Sequence, residues 1–260
     1  MMLRDKVIFV SGVGPGLGIQ LGRAAVREGA RVVLAARSIE RVEAMAAQLR
    51  AEGAEAIAAR VDVAREEECA AAAEVASSTF GRIDGLVNSA RLRGPMRSLE
   101  DIPIEAWSAN YDVTCLGALR MTRAVLPAMK AAGGGSIVNV GTISQVRPYP
   151  GEADYATAKT ALGGLTRYLA KELGGHGVRV NCTRMGYMWG PSIERFFRTR
   201  SEREGRPAEE LVDEVARSFP LGVIPTDAQC ANAVLFLLSD LAGAITGASL
   251  DVNGGEWMTP

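Results

Sequence analysis

The feature that most constrains the fold is the order of segments that opens at Val7. A short β-branched run is followed by a glycine-rich turn and then by a helix. Val7-Ile8-Phe9-Val10 reads as a strand, and Ser11-Gly12-Val13-Gly14-Pro15-Gly16-Leu17-Gly18 follows it directly. Helical spacing then runs from Leu17 to about Glu28. The rhythm repeats: strands at Val32–Ala35, Ala56–Val61, Ile83–Asn88, Ser136–Val140 and Val178–Asn181 alternate with helical stretches. Those stretches run through about Glu52, over Ala64–Phe80, over Ile104–Lys130 as two helices, and over Tyr155–Leu173. A last strand is expected near Leu250–Val252. Such alternation predicts an α/β fold: a doubly wound parallel sheet of about seven strands with helices on both faces.

At 260 residues with 48% hydrophobic content, the chain reads as one domain over residues 1–260, without repeats or low-complexity linkers. Residues 189–219 break the rhythm with charges, aromatics and two short helical patterns, one of them Pro207–Arg217. A stretch that long reads as a substrate lid, with a merely ornamental insertion as the other possibility.

Several function classes drop out. A net charge of −1 points to neither nucleic acid nor an anionic membrane. The start of the chain lacks the pattern of a signal peptide, and no apolar run is long enough to span a bilayer, so a cytoplasmic location is expected. Cys69, Cys115, Cys182 and Cys230 are scattered, without metal-ligand or redox spacing, and read as buried free thiols. His176 is the single histidine, in a glycine-rich loop, which argues against a Ser-His-Asp hydrolase and a multi-histidine metal site. No metal is expected.

The turn at Gly12, Pro15, Gly16, Leu17 and Gly18 has the character of a phosphate site. Glycines let a pyrophosphate approach the backbone, and the helix that begins there offers free N–H groups and the positive end of its dipole. Its spacing differs from the GxGxxG fingerprint. At the end of the second strand, Ala36-Arg37-Ser38 stands where an acidic residue would bind the ribose hydroxyls of NAD. A guanidinium suits a 2′-phosphate instead, which favours NADP, with NAD as the alternative.

Tyr155 and Lys159 are four apart in a predicted helix and so share one face. A free phenol has a pKa near ~10, and a neighbouring ammonium favours its ionised form. That prepares Tyr155 to act as a general acid or base. No other tyrosine of the five has a lysine at this spacing, and the chain holds only four lysines among its 29 basic residues.

Together these segments resemble the short-chain dehydrogenase/reductase family over essentially the whole chain. Ser11–Gly18 is similar to its TGxxxGxG turn, and Leu86-Val87-Asn88-Ser89-Ala90-Arg91 to its NNAG motif, with Asn88 and Ala90 in place. Asp62-Val63 resembles the pair that contacts adenine, and Asp251-Val252-Asn253-Gly254-Gly255 the usual ending. The resemblance implies a Rossmann-type fold and hydride transfer between nicotinamide and an alcohol or carbonyl carbon. By the same resemblance Lys159 also holds the nicotinamide ribose, Thr142 fills the position of the catalytic serine, with Ser144 the next hydroxyl, and Thr114 that of the asparagine that helps to hold a relay water. Threonine is expected to kink the helix at 114 by bonding the carbonyl a turn earlier, with Asn110 the less favoured substitute. Met185-Gly186 stands for the Pro-Gly after the sixth strand, and Gly186 and Met188 are expected beside the cofactor. Arg91 and Ser89 are further departures. They leave open a second reading, a nucleotide-binding sensor or scaffold with little turnover.

The resemblance places the substrate among the loops after the fourth, fifth and sixth strands. These carry Arg91-Leu92-Arg93, Val146-Arg147-Pro148-Tyr149 and Tyr187-Met188-Trp189, joined by Phe196-Phe197 from the lid. Aromatics and Met suit a bulky apolar or cyclic secondary alcohol or ketone, unless the phenylalanines only anchor the lid. The arginines either face a substrate carboxylate or are solvated. Ala156, Ala158, Ala161, Gly163 and Gly164 suit either close packing in a homodimer or homotetramer or packing on the sheet.

Overall fold

The computed structural model describes residues 1–92, 94 and 96–258. Seven strands form one sheet, β1 (Val7–Ser11), β2 (Arg31–Ala36), β3 (Ala56–Arg60), β4 (Gly85–Asn88), β5 (Gly135–Thr142), β6 (Val178–Met185) and β7 (Ser249–Val252). The spatial order is β3-β2-β1-β4-β5-β6-β7 and every pairing is parallel. This is the doubly wound Rossmann-type sheet. The chain reverses its direction of travel across the sheet between β1 and β4, which opens a crevice at the carboxyl ends of those strands.

Nine α-helices are described: α1 (Leu17–Arg27), α2 (Ile39–Ala51), α3 (Glu66–Phe80), α4 (Ile104–Tyr111), α5 (Gly117–Ala131), α6 (Ala153–Leu173), α7 (Pro191–Glu204), α8 (Ala208–Arg217) and α9 (Asp227–Leu238). Side chains alternate across a strand, so neighbouring residues of β1 serve opposite layers. Ile8 and Val10 face α1, α2 and α9, whereas Val7 and Phe9 face α3, α5 and α6. Both faces are apolar, which is why the strands read as continuous hydrophobic runs rather than alternating ones. Phe9 is fully buried, and truncation to alanine there costs about 3–5 kcal/mol.

Three boundaries differ from the sequence expectation in ways that matter. β5 continues to Thr142 and β6 to Met185, because the two strands pair through Thr142 and Met185 at their ends. The helix that carries Tyr155 starts two residues earlier, at Ala153. The stretch from Ile104 onward is helical throughout, and its two α-helical halves meet in a π-helical turn at Asp112–Leu116. Beyond β6, α7 and α8 build a small core of their own from Phe197, Leu211, Phe219 and Ile224, packed on Tyr187 and Trp189.

Candidate active site

The phosphate turn is shaped by two glycines. Gly12 has φ +88°, and a Cβ there would lie 2.2 Å from the main-chain nitrogen of Ala90. No side chain fits where β1 and β4 approach so closely. A Cβ on Gly18 would meet Val13 Cα at 2.7 Å, so the start of α1 sits directly on the turn. No side chain caps α1. Ile19 N donates back to Gly14 O and Gln20 N to Gly16 O, and the N–H groups of Leu17 and Gly18 find no acceptor among the described residues. Unpartnered donors at a helix N-terminus fit an anionic group such as a dinucleotide phosphate. Pro15 stands exposed beside them, while Leu17 turns into the core.

Arg37 follows β2 immediately and is exposed. Asp62 is half-buried after β3, its Oδ1 accepting from Ala64 N at 3.1 Å, and Val63 is buried beside it. Asn88 closes β4 with its side chain inward: Nδ2 donates to Asn139 Oδ1 at 2.9 Å, and Asn139 Nδ2 donates to Thr166 Oγ1 at 2.9 Å. This buried chain ties β4, β5 and α6 together beneath the crevice.

Lys159 is 2% exposed, yet it is a long basic side chain. Its Nζ donates to Val140 O at 2.5 Å and lies 5.9 Å from the centre of the Tyr155 ring. Burial lowers its pKa to about 8, with the Arg91 charge acting in the same direction and Cys182 opposing. Gln145 holds the helix against β5 by donating to Lys159 O at 2.5 Å. Gly163 makes room for that amide, since a Cβ there would lie 2.9 Å from Gln145 Nε2. Ala158 and Gly163 thus pack inward, whereas Gly164 faces open space.

Thr142 and Ser144 are both nearly buried at the end of β5. Ser144 Oγ lies 3.0 Å from Glu152 Oε2 and 3.3 Å from Thr142 Oγ1. Ser144 donates its single proton to Glu152, so Thr142 is the donor of the other contact. Sequence reasoning missed Glu152; its signal is an acidic residue three positions before Tyr155, at the N-cap of α6.

Thr114 sits in the π-helical turn, 1% exposed. The expected bond from its hydroxyl to an earlier carbonyl is not made, and Oγ1 has no partner among the described residues. The distortion at this point is the wide turn itself, which leaves main-chain groups out of the regular ladder. Asn110 is also buried, and its Nδ2 donates to Asp154 Oδ2 at 2.7 Å.

The loop after β6 is held by the C-terminal segment. Glu256 accepts from Tyr149 Oη at 2.8 Å and from Tyr187 N at 3.1 Å. A Cβ on Gly186 would come within 2.3 Å of Glu256 Oε2, so glycine is required beneath the carboxylate. Burial pushes the Glu256 pKa up. Arg147 keeps a partly exposed side chain, and its guanidinium is tied to the C-terminal segment: it donates to Glu256 O at 3.1 Å, lies 3.9 Å from Glu256 Oε1 and stands over the rings of Tyr149 and Trp257. Glu256 too escaped the sequence reading, because its partners on the β5 loop are 107 or more positions away. Met188 packs against the layer that holds α1 and α9. Phe197 is an anchor of the small α7–α8 core, whereas Phe196 is 36% exposed. Arg91 is exposed, and Arg93 lies outside the described residues.

The four cysteines are buried and free, and His176 is exposed at the end of α6. Burial raises the thiol of Cys69 to about 11, so it stays neutral. Among the described residues no group of His, Cys, Asp and Glu could hold a metal ion, and no helix is long and apolar enough to cross a membrane.

Comparison with known proteins agrees with this architecture. The family described as enoyl-(acyl carrier protein) reductase matches residues 12–256. The short-chain reductase protein NovJ of Streptomyces niveus is 34% identical over 97% of this chain and 94% of its own. The 2-(S)-hydroxypropyl-CoM dehydrogenase 3 of Xanthobacter autotrophicus is 34% identical over 97% of each. The crystal structure of L-sorbose reductase from Gluconobacter frateurii, complexed with NADPH and L-sorbose, superimposes with a TM-score of 0.93 at 29% identity, covering 100% of both chains. The chain belongs to the short-chain dehydrogenase/reductase family, whose members named here are oxidoreductases.

Proposed function

We propose that this protein interconverts a secondary alcohol and a ketone with a nicotinamide cofactor, NADP in preference to NAD, and with Tyr155 as general acid/base. The observation that carries the reading is the buried Lys159 ammonium one helical turn from Tyr155, at the carboxyl end of a sheet whose first turn leaves helix donors open. The bound nicotinamide supplies or accepts the hydride. Tyr155 exchanges the proton of the substrate oxygen, and Lys159 favours the phenolate by its charge. The Thr142 hydroxyl donates to the same oxygen and orients it. The open N–H groups of Leu17 and Gly18 hold a cofactor phosphate, with Gly12 and Gly16 keeping the approach clear. Arg37, exposed beyond β2 with no acid beside it in sequence, pairs with a 2′-phosphate.

The substrate lies over Tyr155 beneath the loops after β4, β5 and β6. Tyr187, Met188, Trp189 and the exposed edge of Phe196 favour a bulky apolar or cyclic compound. The names of two relatives, a 2-(S)-hydroxypropyl-CoM dehydrogenase and an L-sorbose reductase, support a secondary carbinol as the reacting centre here. On this reading the chain is a single catalytic domain, with α7 and α8 as the substrate lid.

The test is a panel of cyclic, acyclic and polyhydroxylated alcohols and ketones offered with NADP(H) and NAD(H), followed by reduced-cofactor absorbance. Turnover of at least one class, faster with NADP(H), is expected. Tight cofactor binding without turnover across the panel contradicts the catalytic reading and favours a nucleotide sensor.

A further inference from the structure

Asp227 is the first residue of α9, and a capping box fixes how that helix starts. Thr226 Oγ1 accepts from Gln229 N at 3.1 Å, while Gln229 Oε1 accepts from Thr226 N at 2.9 Å. From there the Asp227 side chain reaches the phosphate turn. A Cβ built on Gly16 would lie 3.0 Å from Asp227 Oδ2, and one built on Gly190 only 2.0 Å from it. The carboxyl group therefore fills a slot that exists because both positions are glycine. The slot joins the N-terminal end of α1 to the loop after β6. Asp227 is 8% exposed, and among the described residues no donor reaches its carboxyl oxygens. Its main chain alone is engaged, N donating to Trp189 O at 3.0 Å.

An ionised carboxylate is out of place beside a phosphate site. Like charges in a poorly solvated slot repel far more strongly than in water. Burial holds the acid at about 6, with Arg91 from the loop after β4 lowering it and Glu194 of α7 raising it. Cys230, one turn along α9, is pushed up to about 12 by its own burial and remains neutral. The two glycines bring no charge.

We propose that Asp227 is a cofactor-binding residue that works as the neutral acid, its O–H donating to a phosphate oxygen of the bound dinucleotide. No covalent bond changes. The proton comes from solvent when the dinucleotide binds and returns when it leaves. The inference rests on the reading of the α1 N-terminus as the phosphate site, and it makes cofactor affinity depend on pH in the range where Asp227 ionises.

NADH is the probe, because it lacks the 2′-phosphate, which itself titrates near pH ~6. Its dissociation constant is measured by fluorescence between pH 5.5 and 7.5, and proton uptake by calorimetry in two buffers of different ionisation enthalpy. For the native protein the constant should rise roughly eightfold from pH 6.5 to 7.5, with close to one proton taken up. Asp227→Asn keeps a donor and cannot ionise, so its binding should be independent of pH and tighter than native at pH 7.5. Asp227→Ala lacks both charge and donor and should bind several-fold more weakly than the Asn variant. A native constant that is flat with pH, without proton uptake, overturns the proposal. Equal affinity of the Ala and Asn variants overturns the donor role. Failure of both NADH and NADPH to bind the native protein at any pH overturns the phosphate-site reading as well, so the two failures are distinguishable.

Discussion

Lys159 shows what a buried ammonium does to stability. Its usual pKa of 10.5 is lowered to about 8. Between those values the unfolded chain keeps the proton and the folded chain has lost it, so stability rises with pH across that window. Below pH 8 the folded protein carries the whole penalty of the buried ammonium, on the order of 3 kcal/mol. Lys159→Met should therefore be more stable than the native protein at pH 7 without cofactor, even after losing the bond to Val140 O, which is worth about 1 kcal/mol. The thermal midpoint is expected to rise by roughly 2 °C or more, and turnover to disappear. The rise in stability between pH 8 and 10.5 should flatten. A less stable Met variant contradicts this electrostatic account. At this scale Tyr155 and Lys159 were legible in the sequence because their relation is local, four positions on one helix. Glu256 and Asp227 were not, because what gives them meaning is a distant partner: Tyr149 for Glu256, Gly16 and Gly190 for Asp227.

Elements were legible where one period dominates. β1 and α1 meet at the glycine turn as the sequence suggests, since Gly12 and Gly18 leave no other backbone route. The ends of β5 and β6 were not legible, because their last residues are strand only by pairing with each other. The π-helical turn at Asp112–Leu116 has no simple sequence signal, and the hydroxyl of Thr114 plays no part in forming it. The end of β2 supports a prediction of its own. Ala36 closes the strand and Arg37 is exposed just beyond it, so a carboxylate introduced there would meet the ribose end of a bound dinucleotide. Ala36→Asp combined with Arg37→Ala should move preference from NADP towards NAD by about tenfold or more, as the ratio of kcat/KM values. An unchanged ratio means that the 2′-phosphate is read elsewhere.

At the scale of the molecule, alternating strands and helices led to the sheet and to its two apolar layers. What they left open is the region after β6. There α7 and α8 form a separate small core around Phe197 and Leu211, so part of its aromatic content serves packing rather than a ligand. The segment after the edge strand β7 then places Glu256 against the β5 and β6 loops. The whole arrangement brings an open helix N-terminus and the Tyr155–Lys159 pair to one end of one sheet. The central claim is that this end transfers a hydride with Tyr155 moving the proton, and Tyr155→Phe tests it most directly. With any substrate found active, the rate of the chemical step should fall at least ~10²-fold while the dissociation constant for NADPH stays nearly unchanged. A Phe variant that turns over at close to the native rate would contradict the account.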